Sequence, residues 1–86
     1  SIVLECVESS LAKKITNNIN IPTIGIGSSK HCDGQILVLD DLIGLNPMNV
    51  RFVKKYSNIR KEISKAVSNY ANEVKIKKFP QKKHSY

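Results

Sequence analysis

The 86-residue sequence predicts an α/β chain with a parallel sheet, followed by a helical C-terminal region. Short apolar runs rich in β-branched residues occupy positions 2–7, 23–27 and 35–39, as is typical of buried parallel strands. A helical segment separates the first two runs, which gives the strand–helix–strand order of a parallel pair with a right-handed crossover. After Asp41 the apolar residues follow a helical spacing instead, so the chain is expected to end in helices.

The first strand and the helix after it have clear local signals. The run at 2–7 is expected to be covered on both faces, because apolar residues occupy successive positions. Residues 8–10 (Glu-Ser-Ser) offer capping side chains and a negative charge for a helix start. The apolar residues with helical spacing are Leu11, Ala12, Ile15 and Ile19. Pro22 then ends the connection to the second strand.

The second half of the sequence predicts one more strand and two helices. A polar loop at 28–34 leads into the third strand at 35–39, with no clear helix between the strands. A short helix is predicted at 50–56. A longer one, at about 59–75, carries an apolar stripe that we expect to be buried. The stripe comprises Ile59, Ile63, Ala66, Val67, Tyr70, Ala71 and Val74. Phe79-Pro80 closes this helix, and residues 81–86 form a basic tail.

The net charge of +7 is concentrated in the second half of the chain. Residues 1–50 carry a balance of −2 and residues 51–86 one of +9, an asymmetry that raises the hypothesis of a nucleic-acid or acidic partner. Against it, twelve of the fourteen basic residues are lysine, whereas phosphate and base recognition favours arginine. A solvated face is the simpler interpretation. No apolar stretch approaches the roughly 20 residues of a membrane helix, and no signal-peptide pattern is present.

The two cysteines suit a reducing cytoplasm better than a disulfide framework. Cys6 and Cys32 are both expected to be small buried apolar residues. The triplet His31-Cys32-Asp33 suggests a metal site, but it lacks the second ligand pair that such sites show. We therefore assign no metal ligand in this sequence.

Three parallel strands cannot close a barrel or protect both edges of their sheet, which indicates a part of something larger. The opening Ser1, directly before an apolar run, is also expected to be a cut in a longer chain.

Ordered motifs along the whole sequence resemble the ketopantoate hydroxymethyltransferases. The motifs are Val3-Leu4-Glu5-Cys6-Val7, Leu11-Ala12-Lys13-Lys14-Ile15-Thr16, Ile21-Pro22-Thr23-Ile24-Gly25-Ile26-Gly27, Cys32-Asp33-Gly34-Gln35-Ile36-Leu37-Val38, Phe52-Val53-Lys54-Lys55-Tyr56, Phe79-Pro80 and His84-Ser85-Tyr86. Each motif alone is weak, but their order and spacing together are specific.

The resemblance implies the C-terminal part of a (β/α)8 TIM barrel, about strands six to eight and the closing helices. Within that single domain, residues 1–49 would hold the last βα units and residues 50–86 the C-terminal helices and the basic tail. The family forms homo-oligomers, decamers built from paired pentamers. The remainder of the barrel and other subunits are therefore the expected partners, with neither nucleic acid nor membrane.

The family transfers a hydroxymethyl group from 5,10-methylenetetrahydrofolate to 2-oxoisovalerate, giving ketopantoate for pantothenate biosynthesis. The resemblance places its catalytic base at Glu5 and its Mg²⁺ and keto-acid ligands on earlier strands outside this sequence. From the residues alone, Glu5 is either a catalytic group or an exposed edge residue, because burying an unpaired carboxylate inside a strand is costly.

Other residues near the strand ends keep a structural interpretation. Gly25 and Gly27 would let a substrate approach the backbone, or would serve tight packing, which we favour slightly. Asp40 and Asp41 would follow the eighth strand and resemble metal ligands, but they stay outside the predicted site.

The sequence departs from the family pattern at several loops. Glu8 replaces a common proline, Ser28-Ser29 replaces Ala-Gly, Leu39-Asp40-Asp41 replaces Met-His-Asp, and Met48-Asn49 replaces Gly-His. These changes put folate binding in question, whereas Glu5 is untouched. The leading hypothesis is thus an enzyme segment that is inactive alone, and the alternative is a non-catalytic basic helical module for acidic partners or nucleic acid.

Overall fold

The computed structural model describes all 86 residues and contains one three-stranded sheet with helices after its strands. The parallel strands lie in the order β1, β2, β3. In chain order the elements are β1 (Ile2–Glu5), α1 (Ser9–Asn18), β2 (Thr23–Ile26), β3 (Gly34–Gln35), α2 (Leu39–Leu42), α3 (Ile59–Lys75) and a 3₁₀ turn at Lys82–His84. The predicted α/β class and parallel sheet are confirmed.

The pair of β1 and β2 with the crossover helix α1 is the best-packed part of the chain. The register runs from Ile2 opposite Thr23 to Glu5 opposite Ile26. Helix α1 lies on one face, where Leu4 and Ala12 form a small buried core with Cys32. The opposite face is open, since Val3 remains 54% exposed. The expected cover on both faces of β1 is wrong for this chain, because only one helical layer is present.

A polar network fixes the start of β2 against α1 and the following loop. The side chain of Thr23 is fully buried, and its hydroxyl lies 2.8 Å from that of Thr16 in α1. The carboxylate of Asp33 accepts hydrogen bonds from the amide of Thr23 at 2.8 Å and from its hydroxyl at 3.2 Å. The amide of Asp33 donates back to the same hydroxyl. Every polar atom at this buried point is thereby paired.

The third strand is much shorter than the predicted 35–39. It pairs with β2 only at Gly34 and Gln35, after which the amide of Ile36 makes one more bond to the carbonyl of Gly25. Strand β2 ends at Ile26, so the next residues have no backbone partner that would keep them extended. Leu39 instead begins α2.

The predicted helix at 50–56 is also wrong. The segment contains a single turn, closed by a bond from the amide of Val53 to the carbonyl of Val50. Seven residues are too few for a stable helix without packing partners. The amide of Tyr56 bonds to the carbonyl of Leu42, which ties this segment to the end of α2.

Helix α3 forms where predicted, but its stripe is not buried within this chain. Ile63, Val67, Tyr70 and Val74 are between 43% and 60% exposed, and the molecule measures 67 × 25 × 13 Å. Its radius of gyration is 21.5 Å, against about 12 Å for a compact domain of this length. No other element of the chain packs along α3, so the stripe has no cover within residues 1–86. The helix is not long and apolar enough to cross a membrane, and neither is any other.

The C-terminal segment folds back on the end of α3. The ring of Phe79 lies 5.6 Å from the ring of Tyr70 in an edge-on arrangement, and 5.1 Å from that of His84. Aromatic pairs at such distances are favourable. The segment after α3 is therefore partly ordered by its own side chains.

Replacement of Asp33 by alanine should lower the stability of the fold by about 1–3 kcal/mol, because the buried amide of Thr23 loses its acceptor. Thermal unfolding of purified Asp33→Ala measures this effect. Asp40→Ala is the matched control, since Asp40 is exposed and its carboxylate makes no hydrogen bond within the chain. Equal midpoints for the two variants would contradict the importance of the Thr23–Asp33 contact.

Candidate active site

Glu5 is the last residue of β1 and lies at the carboxyl edge of the sheet. It pairs with Ile26, the last residue of β2, and the next amide, that of Cys6, donates to the carbonyl of Ile26 at 2.9 Å. In parallel α/β sheets, ligands bind beyond the carboxyl ends of the strands. Glu5 thus occupies the edge of the sheet where such sites form.

The carboxylate of Glu5 belongs to the open face of the sheet. Successive side chains of a strand point to opposite faces, and the preceding Leu4 is buried against α1. Glu5 therefore shares the open face with Val3 of β1 and with the half-buried Ile24 and Ile26 of β2. It is the one charged side chain among them. The structure therefore places an exposed acid at the end of an otherwise apolar surface.

The backbone turns sharply directly after Glu5. Cys6 has a φ of +53°, a left-handed conformation that costs a residue with a Cβ roughly 1–2 kcal/mol. Such conformations persist where neighbouring contacts hold them. Cys6 is exposed, so its predicted burial is wrong because this turn carries it out of the strand, whereas the burial of Cys32 is confirmed.

The hydroxyl of Ser28 connects the two sides of this turn. It donates to the carbonyl oxygen of Leu4 at 2.7 Å and accepts from the amide of Val7 at 3.1 Å. Ser29 is buried, with its hydroxyl accepting from the amide of His31 and its carbonyl from the side chain of Gln35. Both serines that depart from the family pattern thus have partners in this fold. Sequence reasoning missed the contact from Ser28, for which the departure itself was the only signal.

Gly25 in β2 and Gly27 directly after it pack closely against side chains. A Cβ at Gly25 would lie 2.9 Å from Gln35 Nε2 and 3.2 Å from Cys32 Sγ. One at Gly27 would lie 2.7 Å from Cγ of Phe52, and Gly27 also has a φ of +65°. These contacts support the packing interpretation of both positions.

A cleft of about 610 Å³ lies beside the turn. Its walls are the segment 6–9, Gly27, Arg51 and Phe52. Sequence reasoning gave no role to Arg51, because the short helix predicted there does not indicate that the residue faces the carboxyl edge. The cleft gives a small ligand room next to the strand end that carries Glu5.

Glu8 caps the helix that follows this turn. Its carboxylate accepts hydrogen bonds from the amides of Ser10 and Leu11, both at 3.0 Å, and from the hydroxyl of Ser10. The Ser10 hydroxyl, followed by the two amides, lowers the pKa of Glu8 below its ordinary value of 4.5. The capping role expected for residues 8–10 therefore falls to Glu8.

The acidic and sulfur groups of this chain do not fit a Mg²⁺ site. No three side chains of His, Cys, Asp or Glu lie close enough together to hold a metal ion. Within the triplet at 31–33, Cys32 is part of the core and Asp33 bonds to Thr23. Asp41 lies in α2, not after a strand, and accepts from the side chain of Asn46.

A parallel α/β sheet with a carboxylate at its carboxyl edge is typical of α/β enzymes. Residues 1–82 match the family model for ketopantoate hydroxymethyltransferase. The chain belongs to the ketopantoate hydroxymethyltransferase family.

Three curated relatives illustrate the likeness. The whole chain aligns at 65% identity with the 3-methyl-2-oxobutanoate hydroxymethyltransferase of Pelagibacter ubique (strain HTCC1062), and it covers 34% of that enzyme's length. It aligns at 52% identity with 3-methyl-2-oxobutanoate hydroxymethyltransferase 2 of Zymomonas mobilis, and it covers 32% of that enzyme's length. The enzyme of the same name from Pyrobaculum aerophilum is 52% identical over 98% of this chain and 32% of its own length. The chain thus spans about a third of these relatives.

The capping carboxylate of Glu8 should make helix α1 sensitive to acid. Because the pKa of Glu8 is lowered in the folded state, its contribution is present above the ordinary value of 4.5 and is lost as the pH falls through the folded value. Thermal unfolding at a series of pH values should show a smaller acid-dependent loss for Glu8→Gln than for the unaltered protein. Glu62→Gln, on exposed α3, is the control. An unchanged acid profile in Glu8→Gln would contradict the cap.

Substitutions at Cys6 should separate the effect of losing the thiol from the effect of the backbone conformation. Glycine adopts a positive φ freely, whereas a β-branched residue there is a conformational outlier. Cys6→Val should therefore lower the midpoint of thermal unfolding, while Cys6→Gly should leave it close to the original value. The two variants remove the same thiol and control for one another. Equal losses would mean that the thiol, and not the turn, matters for stability.

Proposed function

We propose that residues 1–86 form the late strands and closing helices of a (β/α)8 barrel that converts 2-oxoisovalerate and 5,10-methylenetetrahydrofolate to ketopantoate and tetrahydrofolate. Glu5 is the general base of that reaction. The observation that carries the proposal is its position, as the one acid on the open face at the carboxyl edge. Membership of the family, over 82 of the 86 residues, supports the reaction.

The one-sided packing of the sheet supports the barrel architecture. In a (β/α)8 barrel the helices form an outer ring, and the strand faces turned away from them fill the interior. Helix α1 covers one face here, so in such a barrel the open face with Val3, Ile24 and Glu5 would be the inner one. The missing strands would bury the exposed apolar side chains and close the space around Glu5.

The chemistry assigned to Glu5 is removal of the C3 proton of 2-oxoisovalerate. A carboxylate oxygen accepts the proton, and the electron pair of the C–H bond passes into the enolate. A base must lie within hydrogen-bond reach of the proton, which an exposed carboxylate beside an open cleft allows. As the resemblance implies, the groups that hold the metal and the keto acid are assigned to the other strands.

The exposed apolar stripe of α3 supports the proposal that a surface outside this chain packs against the helix. Ile63, Val67 and Tyr70 leave apolar surface in water, which costs free energy unless another surface covers it. We assign that surface to the remainder of the barrel or to a neighbouring subunit of a cytoplasmic homo-oligomer. Residues 1–49 then supply the last βα units, and residues 50–86 the closing helices and the tail.

The basic-module alternative gains no support. The family match extends over residues 51–82, the region that holds the excess of lysine. The lysine-rich region therefore lies largely within the part of the chain that the family model matches.

In the complete enzyme, Glu5→Gln should lower kcat by about 10²- to 10⁴-fold, the usual contribution of a general base. The amide is nearly isosteric with the carboxylate, but it cannot accept the proton, so KM should change little. The measurement is deuterium exchange at C3 of 2-oxoisovalerate, with keto-acid binding and Mg²⁺ binding followed in parallel.

Glu62→Gln is the matched control, because Glu62 is exposed on α3, far along the chain from the carboxyl edge. Its exchange rate should equal that of the unaltered enzyme. Normal exchange in Glu5→Gln would mean that another group takes the proton. Loss of exchange together with loss of Mg²⁺ binding would mean that Glu5 is a ligand and not the base.

A further inference from the structure

We propose that Ser28 is a positioning residue for Glu5, which deepens the proposed function and rests on the role of Glu5 as base. Ser28 does not touch the substrate in this scheme. Its hydroxyl holds the backbone on both sides of Glu5, so that the carboxylate leaves the strand in a fixed direction.

The geometry of the two hydrogen bonds supports this role. The hydroxyl donates to the carbonyl oxygen of Leu4 at 2.7 Å and accepts from the amide of Val7 at 3.1 Å. These two groups flank the segment Glu5-Cys6. One side chain from the end of β2 therefore bridges the first and last points of the turn that follows β1.

This turn needs an external restraint. Cys6 has the left-handed φ of +53°, which a residue with a Cβ keeps only when its surroundings hold it there. The ladder of β1 and β2 ends with the bond from Cys6 to Ile26, so the amide of Val7 has no strand partner. Ser28 supplies the missing acceptor, and the hydroxyl is half-buried beside the open edge.

The residue that follows Val7 adds no covalent restraint to this turn. A proline after Val7 would restrict the backbone by its ring and would disfavour helical conformations at Val7. Here that position is Glu8, whose φ of −53° lies in the range of proline although no ring holds it. The hydroxyl of Ser28 supplies a restraint by hydrogen bonds instead.

The test uses the complete enzyme and deuterium exchange at C3 of 2-oxoisovalerate. Ser28→Ala removes both hydrogen bonds and should lower kcat about tenfold, with KM within about twofold, because a displacement of even 1 Å can cost up to about 10²-fold. Ser28→Thr keeps the hydroxyl and should restore most of the rate. Ser28→Cys, with a weak donor and acceptor, should fall between the two. Ser64→Ala on exposed α3 is the control and should match the unaltered enzyme.

A double variant separates positioning from a general structural role. If Ser28 acts through Glu5, Ser28→Ala should lower the residual exchange rate little further in a Glu5→Gln background. Independent, multiplicative losses, or a loss equal in Ser28→Ala and Ser28→Thr, would overturn the positioning role. Normal exchange in Ser28→Ala, with Glu5→Gln inactive, would overturn it while leaving the base intact. Normal exchange in Glu5→Gln would overturn the proposed function itself.

Discussion

The parallel pairing of β1 with β2 is the constraint on which the rest of this chain depends. It sets Leu4 and Thr23 on the side where α1 and the loop at 29–33 pack, and Glu5 on the other side. It also brings the end of β1 within reach of Ser28, which lies 23 positions later in the sequence. A shift of one residue in this register would exchange the two faces, placing Glu5 against the helix and the core residues in the open.

The same pairing leaves one face of the sheet uncovered within this chain. The buried core consists of Leu4, Ala12 and Cys32, with Val7 and Ile15 at its edge, and it is too small to bury the apolar surface that the strands and α3 present. The elongated shape follows directly, since α3 finds no partner within residues 1–86. The polar network at Thr23 and Asp33 joins α1, β2 and the loop at a single buried point.

The elements that the sequence predicts well are those whose signals are local. Helix α1 has its cap at Glu8 and a clear apolar spacing, and α3 has an uninterrupted one. The third strand and the helix at 50–56 fail because their formation depends on backbone partners that composition does not reveal. The α3 stripe has no cover within this chain, and its spacing shows which face is apolar but not what covers it.

The candidate site divides in the same way. The presence of Glu5 in the first strand follows from the apolar run at 2–7, and its assignment as base follows from the resemblance. The left-handed backbone at Cys6 and the bridging hydroxyl of Ser28 do not, because no residue type there demands either. Both depend on how two distant segments meet, which is a property of the folded chain.

Gly27 and Phe52 each limit which residues can replace the other at the carboxyl edge, because they lie against one another. The aromatic ring occupies the volume that a side chain at position 27 would need, so these two positions share one space at the carboxyl edge. A larger residue at position 27 requires a smaller one at 52, as well as a backbone that tolerates a left-handed φ. A substitution at either position therefore changes the space open to the other, and the ring of a distant loop limits which residues fit at the strand end.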